Sequence, residues 1–379
     1  NGIRPAFYYH DDEVVAVASE RSVIQTVFNV HTDTVHEIKP GHALILKKNG
    51  FLSEEEIIEP QEKLSCTFER IYFSRGNDAD IYTERRALGK SLTERVLKAV
   101  DYDLDNTVFS YIPNTAEIAF MGLIEGLHEY ANKSIAEEIE NLSGKPDRER
   151  LTRILNKKPR IDKVVIKDAK QRTFITDDES RDNLVNLAYD ITYDTVRRGR
   201  DTLIVLDDSI VRGTTLKQSI LRILDRLGPK KIIVVSSAPQ IRYPDCYGID
   251  MAVLSKFVAF EATVALVRES GREEFLRDLY ARAKEELRKP KEEQVNVVQE
   301  LYSAFSTSEI SDRIAKMIRP RELQADLEII YQNLEGLHAA CPDHKGDWYF
   351  SGNFPTPGGN KVSNQAFVNY IEGKTARAY

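Results

Sequence analysis

Two adjacent carboxylates, a glycine and several hydroxyl side chains stand together after one apolar segment of the chain. Asp207 and Asp208 directly follow the apolar residues 202–206. The residues that come next, and lead into an amphipathic segment, are Ser209, Ile210, Val211, Arg212, Gly213, Thr214 and Thr215. Paired carboxylates suit the vicinal hydroxyls of a ribose, and they can help to hold a hydrated Mg²⁺ ion. Because Gly213 allows a close backbone approach and the N–H groups at the first turn of a helix favour an anion, the pattern predicts a sugar-phosphate site.

The elements around this stretch form a strand–helix–strand unit. Residues 202–206 and 231–236 are β-prone apolar runs, and residues 215–227 have the apolar spacing of a helix. Strands that alternate with helices predict an α/β fold with a mainly parallel sheet covered on both faces, and ligands of such sheets sit outside the carboxyl ends of the strands. The alternative is an ordinary turn in which Asp, Ser and Thr cap the helix. The ordered combination of strand, acid pair, Arg-Gly-Thr-Thr and amphipathic helix favours a binding loop.

The remaining patterns outline the rest of the chain. Alternating segments predict strands and hairpins over residues 1–60, and short apolar runs predict further strands over 107–112 and 163–166. The helical patterns lie over 84–100, 116–130, about 131–160 as a charged insertion, 179–197, and throughout 261–337. The tail over 347–379 is rich in Gly, Pro, Asn and aromatic residues, which predicts a long ordered loop.

Composition excludes several classes of protein. The chain has 379 residues, which suggests two or three domains, and 41% of them are hydrophobic, which excludes a disordered protein. It contains no apolar run of about 18 residues that could span a membrane. A net charge of −7 argues against nucleic acid as a partner. The three cysteines, Cys66, Cys246 and Cys341, are widely spaced, which is typical of a reduced, cytoplasmic protein.

The segment VLDDSIVRGTT resembles the type I phosphoribosyltransferases, and its form is similar to the glutamine phosphoribosylpyrophosphate amidotransferase family. Other stretches extend this resemblance in the order of that family: GIRP at 2–5, ASE at 18–20, KPG at 39–41, CTFE at 66–69, YFSR at 72–75, QRTFI at 171–175, SAP at 237–239, RYP at 242–244 and YGID at 247–250. The resemblance covers about residues 1–260. Beyond residue 260 it is looser, and FSGNFP at 350–355 is its main element.

The resemblance implies a division of the chain into three parts. Residues 1–62 would be the C-terminal part of an N-terminal-nucleophile glutaminase domain. Residues 63–260 would be a phosphoribosyltransferase domain with a helical insertion at about 131–160. Residues 261–379 would form a helical C-terminal region with an extended tail.

The resemblance also implies an activity and site roles. Members of the family make 5-phosphoribosylamine from phosphoribosyl pyrophosphate (PRPP) and glutamine-derived ammonia, and release pyrophosphate in the first step of purine synthesis. By this likeness Asp207 and Asp208 would contact the ribose diol and, with Thr115, the Mg²⁺ ion. Residues 209–215 would hold the 5-phosphate. Lys167 and Arg172 would belong to a loop that closes over PRPP. A homo-oligomer inhibited by purine nucleotides is implied as well.

The sequence departs from the family in three places. The family's glutaminase begins with a nucleophilic cysteine, whereas position 1 is Asn1, so a chain that begins midway through that domain is expected to use ammonia and not glutamine. The pyrophosphate loop has Asn114, Thr115 and Ala116 where the family has Asp-Ser-Gly, which removes a carboxylate and restricts the backbone. Since some members carry an iron–sulfur cluster on four cysteines and only three are present, no cluster is expected.

Two other functions remain open at this stage. A PRPP-binding regulator or inactive paralogue would keep the binding loop without turnover. A repressor of this kind would need a DNA-binding module, which the acidic charge disfavours. A nucleobase salvage transferase would leave the glutaminase-like stretch at the N-terminus unexplained.

Overall fold

The structure is a computed structural model that describes residues 1–142, 147–167, 189–249 and 251–378. Its strands are β1 Phe7–His10, β2 Val15–Ala18, β3 His36–Glu37, β4 His42–Leu46, β5 Leu52–Glu56, β6 Thr107–Tyr111, β7 Arg160–Ile161, β8 Val165–Lys167, β9 Tyr189–Ile191, β10 Thr202–Asp207, β11 Lys231–Ser236 and β12 Asp326–Tyr331. Its α-helices are α1 Arg21–Phe28, α2 Ala79–Ser91, α3 Thr93–Ala99, α4 Glu117–Glu140, α5 Arg148–Leu155, α6 Leu221–Asp225, α7 Val258–Glu269, α8 Glu273–Glu286, α9 Gln299–Ser303, α10 Thr307–Ile318, α11 Leu334–Ala340, α12 Trp348–Ser351 and α13 Pro357–Ile371. Tighter or wider single turns occur at Thr32–Thr34, Glu69–Phe73, Leu216–Ile220, Leu254–Lys256 and Lys291–Glu293.

A five-stranded sheet in the order β12-β11-β10-β6-β7 forms the centre of the fold. All of its strand pairs are parallel. The middle strand, β10, is apolar along its length because both faces of the sheet are covered: Leu203 and Val205 pack into one core, and Ile204 and Leu206 into the other. The parallel sheet and its double covering, both predicted from sequence, are confirmed.

Helices α2 and α4 pack very closely on one another beside this sheet. A Cβ atom added to Gly89 would lie 1.6 Å from the carbonyl oxygen of Ala119, so only glycine permits this approach. Helix α4 begins directly after the loop that follows β6. The crossing therefore gives that loop a rigid support.

The first part of the chain lies outside the central sheet. Strands β2, β1 and β3 form an antiparallel sheet, and β4 pairs with β5 as a hairpin. Arg21 ties this region to α2 through hydrogen bonds of 2.8 and 2.9 Å to Asp78 and 2.7 Å to Asp80. Its exposed large apolar side chains are Val17, Val27, Phe28, Leu46, Phe51, Ile57 and Ile58.

Three predicted elements are wrong in the described residues. The helix expected over 179–197 is replaced at its end by strand β9 and turns, while its first ten residues lie outside the described chain. The region 261–337 is not helical throughout, because β12 within it adds an edge strand to the central sheet. The tail over 347–379 is not a loop, since it contains α12 and α13. Gly and Asn residues stand between the apolar residues of α13, so the helical spacing of the apolar residues is weak in the sequence.

No helix of the described residues combines the length and apolarity needed to cross a membrane.

Candidate functional site

The candidate site lies where β6 and β10 end. These strands are neighbours in a parallel sheet, so the loops after them meet at the same edge. The loops at 112–115 and 207–215 line a pocket of about 630 Å³. The pocket brings together every predicted site residue that the structure describes, except Ala116, which is buried behind the loop. Further lining residues come from the segment 68–73, from Lys167 and Tyr189, and from Ile249 and Met251.

The acid pair is fixed by hydrogen bonds within its own turn. Asp207 Oδ1 accepts the backbone N–H of Asp208 at 2.9 Å, and Asp208 Oδ1 accepts the hydroxyl of Ser209 at 2.9 Å. Ser237, just past β11, donates its N–H to the carbonyl of Asp207 at 2.9 Å and its hydroxyl to the carbonyl of Asp208 at 3.1 Å. Ser237 thus holds the turn through its backbone carbonyls, and the carboxylates keep oxygen atoms for a ligand.

Two carboxylates so close together in a pocket resist ionisation. Burial, followed by the charge of Asp208, raises the pKa of Asp207 well above its usual range. Burial likewise raises the pKa of Asp208 to about 6, against opposing effects from the Ser209 hydroxyl, the Arg85 guanidinium and the Thr115 hydroxyl. Such a pair gains from a ligand that neutralises or donates to it, namely a cation or hydroxyl groups.

The start of the following helix presents backbone donors beside the acid pair. Gly213 has a φ of +69°, a conformation that other residues rarely adopt. Lys217 donates its N–H to the carbonyl of Gly213 at 3.0 Å, which closes the first turn. The N–H groups of Thr214 and Thr215 precede that bond, and both residues are exposed. This end of the helix is therefore open to an anion.

The loop after β6 faces the acid pair. The peptide bond between Pro113 and Asn114 is cis. The hydroxyl of Thr115 hydrogen-bonds to the side chain of Asp208. Ala116 has φ −70° and ψ −13°, which is right-handed helical geometry that any residue adopts. The restriction expected from alanine at this position therefore carries no conformational cost.

The rim of the pocket includes one of the two predicted loop residues. Lys167 ends β8, and its Nζ lies 5.7 Å from the centre of the Tyr189 ring, which begins the partner strand β9. These two strands flank residues 168–188 in the sequence. That stretch contains Arg172, the other predicted loop residue, and lies outside the described residues.

Oxygen ligands for a metal ion are present but few. The described residues contain no group of three or more His, Cys, Asp or Glu side chains that could hold a metal. Asp207, Asp208 and the Thr115 hydroxyl offer hard oxygen atoms, and burial, the main cause of the raised pKa of both acids, disfavours a negative charge that a bound cation would stabilise. This set fits Mg²⁺, which commonly takes one or two carboxylates and completes its shell with substrate phosphates and water.

Several residues near the site are not among the predicted site residues. The acid pair raises the pKa of Tyr72 and of Tyr189, in each case after the larger effect of burial, so both tyrosines lie near it from distant segments. Tyr331 stands in register with Ser236 and Asp207 across three strands, and its buried hydroxyl has no hydrogen-bond partner in the described chain. Tyr331 is recognised as a neighbour of the acid pair only from the strand order, in which β12 pairs with β11.

The cysteines lie away from the pocket. Cys66 and Cys341 are buried in the main core, and Cys246 is partly buried against it. Burial raises the pKa of the Cys66 thiol to about 12, which leaves it protonated at neutral pH.

Curated proteins of known activity match this chain, although no family model does. The amidophosphoribosyltransferase of Saccharomyces cerevisiae is 30% identical over 283 residues, which cover 71% of this chain and 48% of that protein. The Escherichia coli enzyme of the same name is 28% identical over 278 residues, covering 71% and 48%. That of Bacillus subtilis is 27% identical over 274 residues, covering 71% and 49%. The chain spans about half the length of these relatives, and the matches confirm the resemblance to amidophosphoribosyltransferases.

Solved structures agree on the fold. The glutamine PRPP amidotransferase of B. subtilis, complexed with ADP and GMP, superposes with a TM-score of 0.58 and 22% identity over 94% of this chain and 60% of that one. A second structure, of the allosteric regulatory enzyme of purine biosynthesis, gives a TM-score of 0.57 and 22% identity over 94% and 59%. The predicted α/β fold of the type I phosphoribosyltransferases is confirmed.

Proposed function

We propose that this chain, a relative of the amidophosphoribosyltransferases, binds PRPP between the loops after β6 and β10 and transfers its phosphoribosyl group to ammonia. One observation carries the proposal: an acid pair and an open helix N-terminus lie on one loop, and a second loop faces them across a pocket. A sugar that bears phosphate at one end and pyrophosphate at the other needs these groups together. The pocket volume of about 630 Å³ accommodates such a ligand.

Each part of the pocket would bind one part of PRPP. Asp207 and Asp208 would accept hydrogen bonds from the ribose hydroxyls. The N–H groups and hydroxyls of Thr214 and Thr215, with Arg212, would bind the 5-phosphate at the open helix end. The loop at 114–116 and Lys167 would face the pyrophosphate.

Mg²⁺ would be held by Asp207, Asp208 and Thr115, together with oxygen atoms of the substrate. When bound, the ion supplies charge neutralisation of the leaving pyrophosphate. The relatives' name and the oxygen ligands of the pocket support this assignment.

The reaction this arrangement favours is displacement at the anomeric carbon. The nitrogen of ammonia forms a bond to that carbon as the carbon–oxygen bond to pyrophosphate breaks, and the nitrogen then releases a proton to water. The chain's residues hold the sugar by its hydroxyls and phosphate, keep the reacting atoms aligned and exclude water. Ammonia is itself the nucleophile, so no strong general base is required.

Pyrophosphate release tests this function directly. The chain is incubated with PRPP, MgCl₂ and an ammonium salt at alkaline pH, and pyrophosphate is measured with and without ammonium. The expected result is ammonium-dependent release that is lost in an Asp207→Asn/Asp208→Asn double variant. Because free ammonia is the donor, the assay does not depend on a glutaminase.

A PRPP-binding regulator is the second candidate, and the changed loop at 114–116 is the observation that favours it. Calorimetry distinguishes the two functions. Binding of PRPP with Mg²⁺ but no pyrophosphate release would support the regulator. Absence of both would refute the assignment of the pocket to PRPP.

Regulation, assembly and domain division extend the proposal. Purine nucleotides are proposed as inhibitors that compete for the PRPP pocket, because a relative was solved with ADP and GMP. A homo-oligomer is proposed by analogy with the family and is tested by light scattering. The proposed division is into 1–62, 63–260 and 261–379; the separate N-terminal sheets support its first boundary, whereas β12 joins part of 261–379 to the central sheet. Limited proteolysis is expected to cut first near residue 62.

A further inference from the structure

Arg85 is a buried arginine that binds backbone carbonyl groups and forms no ion pair with a carboxylate of the described residues. It lies in α2 and is 4% exposed. Its Nε donates to the carbonyl of Arg70 at 2.8 Å, and one terminal nitrogen donates to the carbonyls of Tyr72 and Ser74 at 3.2 and 2.6 Å. A buried charge is costly unless it is paired.

The three carbonyls belong to the segment that forms one wall of the PRPP pocket. Phe68, Tyr72 and Phe73 line the pocket from this segment. Their rings form one cluster, with centroids 5.8 Å apart for Phe68 and Tyr72 and 5.0 Å apart for Phe68 and Phe73. The backbone here makes a wide helical turn over Glu69–Phe73, in which carbonyl groups are left for an outside donor. The Arg85 guanidinium is that donor.

The charge of Arg85 also acts on Asp208. Among the charged groups that act on Arg85, Asp208 has the largest effect, and it opposes the lowering of the Arg85 pKa by burial. In return Arg85 favours the ionised form of Asp208.

The helix that carries Arg85 is held rigidly. The close crossing of α2 and α4 at Gly89 fixes α2 on the helix that begins after the loop at 113–116. Arg85 therefore connects two parts of the site: the aromatic wall and, through the helix crossing, the loop that faces the acid pair.

We propose that Arg85 is a positioning residue for phosphoribosyl transfer, which holds the aromatic wall 68–74 over the pocket through its bonds to three carbonyl groups of that segment. The proposal rests on the proposed function. It assigns a role to a residue that does not line the pocket and that sequence motifs do not single out.

The test compares Arg85→Lys and Arg85→Met with the matched control Arg86→Met. Arg86 is the next residue of α2, is 42% exposed and pairs with Glu125 at the surface. PRPP affinity is measured by calorimetry with MgCl₂, and kcat and KM by ammonium-dependent pyrophosphate release, at temperatures well below each Tm. Lysine keeps the charge but cannot span three carbonyls with a fixed fork.

The expected result separates the fixed hydrogen-bonding geometry of the guanidinium from its charge. Arg85→Met is expected to lose about tenfold or more in PRPP affinity and in kcat/KM, as for removal of a charged hydrogen-bonding group. Arg85→Lys is expected to keep most of the affinity but to lose kcat, because the wall is no longer fixed. Arg86→Met is expected to match the wild type.

Three outcomes would overturn the role of Arg85. If both Arg85 variants lower Tm but keep the wild-type kcat and KM per folded molecule, the residue is only structural. If Arg85→Met does not fold and Arg85→Lys is indistinguishable from the wild type, the positioning role is also refuted. A wild-type chain that neither binds PRPP nor releases pyrophosphate refutes the proposed function itself, and the role of Arg85 with it.

Discussion

Asp207 Oδ1 accepts the backbone N–H of Asp208 at 2.9 Å, so the first carboxylate of the pair is turned back onto the peptide of the second. This bond engages one oxygen of Asp207 and orients the other. Asp208 is held separately, by the hydroxyl of Ser209 at 2.9 Å. The two carboxylates therefore hold different positions in the pocket, and a ligand that needs both must match their arrangement.

Replacement of either acid by asparagine is expected to weaken PRPP binding. Asparagine keeps the size of the side chain and removes its charge. Its amide NH₂ group cannot accept a hydrogen bond from a ribose hydroxyl. A loss of roughly 10- to 100-fold in affinity with MgCl₂ is expected for each variant, corresponding to about 1.5–3 kcal/mol for a charged hydrogen bond. Calorimetric titration with PRPP measures it. An unchanged dissociation constant in both variants would show that the acid pair does not contact the ligand.

The Asp208 carboxylate is expected to destabilise the ligand-free chain at neutral pH. Burial raises the pKa of Asp208 to about 6, above its unfolded value of about 4, so the folded chain binds more protons. The stabilising contribution of Asp208 to the free energy of unfolding is present below about pH 4, and it is lost as the pH rises from about 4 to about 6. Asp208→Asn is therefore expected to raise Tm at pH 7, and the gain is expected to disappear near pH 4.

Thermal denaturation of the ligand-free variants from pH 4 to 8 measures this difference. Asp12→Asn, at an exposed position of the N-terminal region, controls for the general loss of one negative charge. A Tm gain for Asp208→Asn that is constant across the pH range would contradict the assigned titration.

The part of the site that lies in one segment could be predicted from sequence. Asp207, Asp208 and Gly213 are local in the chain, and their strand and helix have strong periodic patterns. Thr115 was assigned only through the resemblance, because 92 residues separate it from Asp207. Tyr72 and Ser237 lie in stretches of the resemblance, but their place at the site, like that of Tyr331, could not be predicted, since it depends on strand order and on a wide helical turn.

The errors in secondary structure have the same physical origin. Strand β12 carries charged residues at Asp326 and Glu328, as an edge strand can, and therefore lacks the apolar run of β10. This segment forms a strand because it pairs with β11. Tyr189, which begins β9, likewise pairs with Lys167 across a long connection, and no local pattern encodes that pairing.

Gly213→Ala is expected to damage both stability and ligand binding. The residue has a φ of +69°, and an added Cβ would lie 2.8 Å from Ile318 Cγ2. The positive φ alone costs an alanine about 1–2 kcal/mol, and the contact with Ile318 adds to this. The backbone adjustment would move the N–H groups of the helix end, so the affinity for PRPP is expected to fall as well.

Gly271→Ala is the matched control for this change. Gly271 has a nearly identical φ of +68°, has no atom within 4 Å of an added Cβ, and lies between α7 and α8. This variant is expected to lose stability through conformation alone and to keep its PRPP affinity. Chemical denaturation and calorimetry on the two variants separate the effects. Equal losses of affinity in both would show that the binding defect follows general destabilisation.

Thr115→Val is expected to weaken PRPP binding, whereas Thr115→Ser is expected to preserve it. Valine has the shape of threonine but replaces the hydroxyl that hydrogen-bonds to Asp208 with a methyl group. The lost bond to a charged group is expected to reduce affinity with MgCl₂ by roughly tenfold. Serine keeps the hydroxyl, and it restores the residue that the related family has at this position. If Thr115→Val binds PRPP as tightly as Thr115→Ser in calorimetric titration, the hydroxyl is not part of the site, and the facing loop contributes through its backbone alone.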